Sequence, residues 1–453
     1  MSREKLFSVL AVFGLTVMAV AIYGGSTLPN PLVSVNDSGT AATFSTVGGI
    51  DLSNPFFQNL GTNGRTCNSC HVASTAWTVS PPEIQARFRL THGTDPIFRP
   101  VDGANCPSAD VSTEQTRRQA YSMLLSKGLF RIAMAVPAGA DFHITNIADP
   151  YNCPETTPAL PALYRRPLPA TNLPFLTGVM WDGRESPKGQ SLSANLTQQA
   201  VDATMGHAQA ASVPTAAQLQ QIVAFETALF TAQDTDNGAG LLTARGASGG
   251  PVNLSQQEFY VGINDVLGED PTHAAFDPVV FRLYEKWADS PAPEKASVAR
   301  GEALFNSFPI IITGVAGLND LPGLETVNGT CSSCHDTPNV GSHSLPLAIN
   351  IGVTDYPAKP ALDISGLPVY TILCNDGKTA QTTDLGRAMV TGKCSDIGKT
   401  KGPMLRGLAA RAPYFHNGSA ATLLDVLNFY EQRFNLSLTD QQKKDLVAFL
   451  STL

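Results

Sequence analysis

The sequence predicts a mainly α protein of two domains with long loop insertions. Helical periodicity is clear at Leu219, Ile222, Val223, Glu226, Leu229 and Phe230. It recurs at Leu446, Phe449, Leu450 and Leu453 behind a Thr439/Asp440 cap, whereas strand-like alternation is scarce. A length of 453 residues suits about three domains of ordinary size, or two large ones. The chain is 43% apolar and only 15% charged, against about a quarter charged in an ordinary soluble domain. With 38 glycines and 32 prolines, this balance argues for long ordered loops. A net charge of -8 gives no footprint for nucleic acid or an anionic membrane, so a charged partner is expected to be basic.

At the N-terminus, Arg3 and Lys5 precede an uncharged stretch from Leu6 to Tyr23, followed by Gly24, Gly25 and Ser26. Residues 1–26 read as an export segment, either cleaved after Ala21 or further on, or kept as a membrane anchor. The body of the chain is then delivered outside the cytoplasm.

Eight cysteines in an exported chain suggest four disulfides, but four of them fall in two identical patterns. Cys67-Asn68-Ser69-Cys70-His71 and Cys331-Ser332-Ser333-Cys334-His335 are both C-x-x-C-H, the attachment signal for c-type haem. Two thiols add to the porphyrin vinyls and the adjacent histidine lies under the iron, so His71 and His335 are the expected proximal ligands. Two covalently bound haems c are expected. Cys106, Cys153, Cys374 and Cys394 allow three pairings, of which proximity favours Cys106–Cys153 and Cys374–Cys394 as structural disulfides.

The wide separation of the two motifs implies two c-type cytochrome domains, each around one haem. Asp289-Ser290-Pro291-Ala292-Pro293-Glu294 marks a break, giving an N-terminal domain over 27–290 and a C-terminal one over 291–453. Loop-like insertions at Thr94–Val111 and Ala148–Pro174 suit a haem edge or a partner surface.

Further motifs follow in a telling order. After the first C-x-x-C-H come Trp181-Asp182-Gly183-Arg184, the second C-x-x-C-H, and Pro413-Tyr414-Phe415-His416-Asn417-Gly418 preceded by Lys401-Gly402-Pro403-Met404-Leu405-Arg406-Gly407. This combination, running from about Asn63 to the C-terminus, resembles the dihaem cytochrome c peroxidase and MauG family.

The resemblance implies roles residue by residue. Trp181 matches a tryptophan standing between the two haems. Gln199-Ala200 resembles the helix over the N-terminal haem, whose next turns carry a distal acid-base group, usually glutamate. Here Asp202 to Gln209 holds no glutamate at that offset, so His207 is the candidate; it also suits a helix end or direct ligation of iron. His92 stands near where some relatives carry a removable distal histidine, although its neighbours fit a turn equally well. Tyr430 falls where peroxidases carry a methionine ligand to the C-terminal haem and MauG-type enzymes a tyrosine, whose phenolate stabilises ferric iron. Met404, Met389 and His343 compete for that coordination site.

Family members also hold calcium between the haems. The matching positions here are Arg166, Arg411 and Pro413, a set that disfavours calcium and places guanidiniums, with Arg165, beside haem propionates. His416 is expected to be a structural hydrogen-bonder. The implied protein is a periplasmic dihaem oxidoreductase using hydrogen peroxide, soluble or anchored to the inner membrane, with a peroxidatic N-terminal haem and an electron-transfer C-terminal haem. It either reduces peroxide with electrons from a cytochrome c or cupredoxin, or forms a high-valent dihaem state that oxidises a partner protein. A non-catalytic dihaem electron carrier and a haem dioxygenase are the alternatives, and homodimerisation is a family expectation.

Overall fold

The computed structural model describes residues 26–453, so the export segment expected over 1–26 lies outside the described residues except for Ser26. Among the described residues no helix is long and apolar enough to cross a membrane. Helices hold 29% of the described residues and strands 16%, which overturns the expectation of a mainly α fold. The strands escaped detection for a physical reason. Helix Ala216–Thr227 gives way at once to strand Leu229–Asp236, so Leu229 and Phe230, read as helical, open a strand instead. Leu229 to Gln233 are all buried, and a strand covered on both faces shows no apolar-polar alternation.

That strand lies third in a four-stranded antiparallel sheet ordered Leu32–Asn36, Gly39–Ser45, Leu229–Asp236, Gly240–Leu241. Small residues in Gly39–Ser45 let the first haem motif approach. Trp77 donates from Nε1 to Thr43 Oγ1 (2.9 Å), Thr43 bonds Thr231 (2.9 Å), and Thr231 bonds Thr171 (3.0 Å). A second, three-stranded sheet orders Thr379–Thr382, Val369–Cys374 and Phe142–Ala148, joining distant stretches of chain. Cys106 is bonded to Cys153 and Cys374 to Cys394, the pairing that proximity favours.

The largest apolar core forms where helices Pro293–Ser307 and Asp440–Ser451 cross. A Cβ at Gly301 would lie 1.9 Å from the Asp445 carbonyl oxygen, so only glycine permits this approach. Phe281, Tyr284 and Trp287, which precede position 290, pack with Phe305 and Phe449 in the same core.

One buried ionic network ties the Trp181-Asp182-Gly183-Arg184 segment to the region of His416. Arg165, on strand Ala162–Arg165, donates from Nη1 to Asp182 (2.5 Å) and from Nε and Nη2 to the two oxygens of Asp384 (2.7 and 2.8 Å). Arg184 Nη1 adds a bond to Asp182 (3.0 Å), and His416 Nε2 lies 3.5 Å from Asp384. Burial alone would raise the Asp182 carboxyl, but Arg165 and Arg184 hold it down at about 2. Removing one partner of such a network strands the other charge in low dielectric. Asp384→Ala is therefore expected to cost about 3–5 kcal/mol in urea unfolding. An unchanged midpoint would show that the network carries no stability.

Candidate haem sites

The two attachment segments fold alike because they share more than C-x-x-C-H. Each reads Thr-Cys-x-Ser-Cys-His, and each forms a single 3-10 turn, Cys67–Ser69 and Cys331–Ser333. Thr66 N donates to Ser69 Oγ (3.0 Å) and Thr330 N to Ser333 Oγ (3.0 Å), closing a side-chain cap on both turns. The recurring Thr and Ser were visible in the sequence. The turn brings the histidine back over the first cysteine, with His71 N donating to Cys67 O (3.0 Å) and His335 N to Cys331 O (3.2 Å).

Each histidine is then oriented by a backbone carbonyl. His71 Nδ1 bonds Trp77 O (3.0 Å) and His335 Nδ1 bonds Gly341 O (2.8 Å). A carbonyl only accepts, so Nδ1 carries the proton and Nε2 keeps its lone pair for a metal. Burial lowers the affinity of both rings for a second proton. It also pushes the thiols up, Cys70 to about 11 and Cys331 and Cys334 to about 12.

Both histidines open onto cavities. The first is bordered by Cys70, His71, Gln199, His207 and Glu226, the second by Cys331, Cys334, His335, His343 and Tyr430. Trp181, Arg166, Lys401, Met404 and Arg411 border both and form a shared wall. Trp181 Nε1 donates to Arg166 O (2.8 Å), its carbonyl accepts from Lys401 N (2.9 Å), and its ring lies 6.0 Å from that of His416. Burial pushes the His416 ring down to about 4, so it is neutral. Its Nε2 has no hydrogen-bond partner among the described residues.

The wall is rich in unmatched cations. Arg406, buried beside the first cavity, has no hydrogen-bond partner on Nε, Nη1 or Nη2, and Arg411 has none on Nε. Burial pushes both guanidiniums down to about 10 and Lys401 down to about 7. Buried guanidiniums without acceptors fit the propionates of a haem, as the apolar remainder of the cavities fits its ring. Arg166, at the position expected to disfavour calcium, donates from Nη2 to Arg411 O (2.9 Å), one of the carbonyls that the resemblance assigns to that ion.

In the first cavity, helix Leu192–Gly206 is capped by Ser191 and turns Leu196, Gln199, Ala203 and the following His207 toward the opening. His207 Nδ1 meets Asp102 Oδ2 at 2.5 Å, and Asp102 pairs with Arg65 at 2.6 Å. Burial opposes ionisation of Asp102, but the bond to His207 and the charge of Arg65 hold its pKa below the usual carboxylate value. The His207 side chain is 42% exposed, so this pair stands at the cavity mouth. Asp102 and Arg65 were missed by sequence reasoning: Asp102 sits in a loop read only as an insertion. His92 lies elsewhere, 71% exposed at the end of helix Pro81–Thr91 and paired with Glu114 (2.8 Å).

In the second cavity, Tyr430 projects from helix Leu423–Phe434, fixed by a Thr422/Asp425 cap. Burial first, and then the neighbouring Cys334 and Cys331, push its phenol up. Its ring stacks on Phe434 at 6.2 Å. His343 borders this cavity with Nδ1 3.2 Å from Asp336, and Met404 borders both cavities. Met389 lies in a separate core with Tyr370 and Ile372.

Residues 401–436 match the family described as RoxA-like, cytochrome c-like. The cytochrome-c peroxidase IdrP1 of Denitromonas iodatirespirans is 29% identical over 192 residues, covering 38% of this chain and 44% of that protein. The cytochrome-c peroxidase IdrP2 of the same organism is 34% identical over 138 residues, covering 28% of this chain and 37% of that one. The aligned segments thus span less than half the length of these relatives. A crystal structure described as a MauG-like protein associated with microbial copper homeostasis covers 95% of this chain at 16% identity and a TM-score of 0.39. Over the aligned segments, this chain with its two Thr-Cys-x-Ser-Cys-His turns is similar to cytochrome-c peroxidases.

Proposed function

We propose that this chain is a periplasmic oxidoreductase with two haems c that acts on hydrogen peroxide. One haem is held by Cys67, Cys70 and His71, the other by Cys331, Cys334 and His335. The observation that carries the reading is an asymmetry: two histidine-floored cavities share the Trp181 wall, and the carboxylate-bound histidine of the first, His207, is 42% exposed, whereas that of the second, His343 on Asp336, is buried. Haem iron, when bound, supplies the redox centre at which the peroxide O–O bond is cleaved. The protein supplies proton handling, orientation and a route for charge.

His207 suits proton transfer because Asp102 fixes Nδ1 and leaves Nε2 for the substrate, while its exposed face reaches solvent. Gln199, two turns earlier on the same helix face, offers an amide to orient peroxide. Trp181, fixed at both its indole and its carbonyl, offers a π-system between the cavities for electrons or holes. Electrons enter at the second haem from a small redox protein, for which the net charge of -8 favours a basic donor.

A second reading is favoured by Tyr430. The phenol of Tyr430, on the second cavity together with the thioether of Met404, suits a site that shares oxidising equivalents and passes them to a Trp or Tyr of a partner protein.

Absorption and EPR spectra of the holoprotein, with and without stoichiometric peroxide, test both readings. His207→Leu is expected to leave the resting spectra unchanged and slow peroxide turnover about 100-fold or more. Tyr430→Phe is expected to alter the spectrum of one haem only, the C-terminal one. Two six-coordinate haems inert to peroxide, both in the diferric state and after half-reduction, would leave an electron carrier instead.

A further inference from the structure

The histidine of each attachment turn meets the carbonyl of the residue six positions on, Trp77 for His71 and Gly341 for His335. Both acceptors lie in the left-handed backbone region, Trp77 at φ +58° and Gly341 at φ +70°. The chain turns back on itself there and brings a carbonyl onto the ring that precedes it. At the second site the residue is glycine, which that region favours, and a Cβ at Gly341 would stand 2.8 Å from Phe281 Cζ. At the first site the same position carries a tryptophan, and Ala76 before it is left-handed as well, at φ +52°. Two successive residues with side chains are strained in this region, so contacts elsewhere must hold them.

Those contacts form a closed circuit. Trp77, 1% exposed, donates from Nε1 to Thr43 Oγ1 (2.9 Å), and the hydroxyls of Thr43, Thr231 and Thr171 follow in a chain. Ala170, next to Thr171, closes the circuit by donating from N to Trp77 O (2.9 Å). The carbonyl therefore receives two donors, Ala170 N and His71 Nδ1, one for each lone pair. Trp77 N donates to Val72 O (2.9 Å). The indole packs edge-on against Phe56, Phe57 and Phe225, with ring centroids 5.9, 6.4 and 5.6 Å away.

We propose that Trp77 is a positioning residue for the first haem site: its indole, anchored on Thr43, holds a strained turn in place so that its carbonyl stays on His71 Nδ1. The inference rests on the reading that Cys67, Cys70 and His71 hold a haem. A ring whose Nδ1–H is bound donates more strongly from Nε2. Such a ligand stabilises ferric iron and lowers the potential of the first haem. Without the anchor the turn relaxes out of the left-handed region, the carbonyl leaves the ring, and the donation weakens. The glycine of the second site has no side chain to anchor, so this control acts on the first haem alone.

The test uses the holoprotein and its Thr43→Val, Thr43→Ser and Trp77→Phe variants, with the potential of each haem read by spectroelectrochemical titration and stability read by thermal unfolding. Thr43→Val keeps the indole and its packing but removes the acceptor, and is expected to raise the potential of the first haem while that of the second stays. Trp77→Phe, an aromatic ring without a donor, is expected to raise it likewise. Thr43→Ser keeps the hydroxyl and is expected to keep the wild-type potential. Thr43→Val and Trp77→Phe proteins that unfold at lower temperature but retain both wild-type potentials would overturn the proposal, because a merely structural tryptophan moves only the unfolding temperature. An equal shift in Thr43→Ser would overturn it too. A haemochrome spectrum showing a single haem per chain, with Cys67 and Cys70 free, would instead overturn the haem reading, and this role with it.

Discussion

A guanidinium buried away from water must be matched by carboxylates, and Arg165 meets that demand in a way that shapes the rest of the molecule. It bridges Asp182, beside Trp181, to Asp384, beside His416. Asp384 has no other guanidinium partner among the described residues and Asp182 only Arg184 besides, so without Arg165 their burial would carry a desolvation cost of several kcal/mol. The bridge draws the Trp-Asp-Gly-Arg segment against the Pro-Tyr-Phe-His segment, two stretches more than 200 residues apart in the chain. Trp181 thereby becomes the wall between two cavities rather than a residue of either one.

The same wall also shows the opposite charge balance. Arg166, Arg411 and Lys401 gather there, with Arg406 on the first cavity, and no carboxylate bonds any of them among the described residues. Burial lowers the pKa of each, which is the physical statement that the protein alone leaves them poorly satisfied. Anionic propionates would supply the missing acceptors, so haem insertion and consolidation of this wall are expected to be coupled. The bond from Arg166 to Arg411 O gives a protein cation the place that the family resemblance reserves for calcium.

Much of the site was legible because covalent haem attachment tolerates little variation in spacing. Cys67 to His71 and Cys331 to His335 could be read directly, and Trp181 and Tyr430 followed from motif order. The helical caps at Thr439 and the helix containing Leu219 were readable from periodicity and capping chemistry. What was hidden depended on tertiary environment. Leu229 and Phe230 continue a helical pattern into a strand whose two buried faces erase alternation. Asp102 looked like one more loop aspartate until the fold set it against His207.

The proposed function depends most on Trp181 serving as the electronic link between the two cavities it borders. The direct measurement is the rate of electron transfer between the haems after flash reduction, compared in wild type and Trp181→Leu. The account predicts an interhaem rate lower by an order of magnitude or more in Trp181→Leu, with each haem's own spectrum and potential retained. An unchanged rate in a correctly folded variant would contradict it and place the route elsewhere in the shared wall.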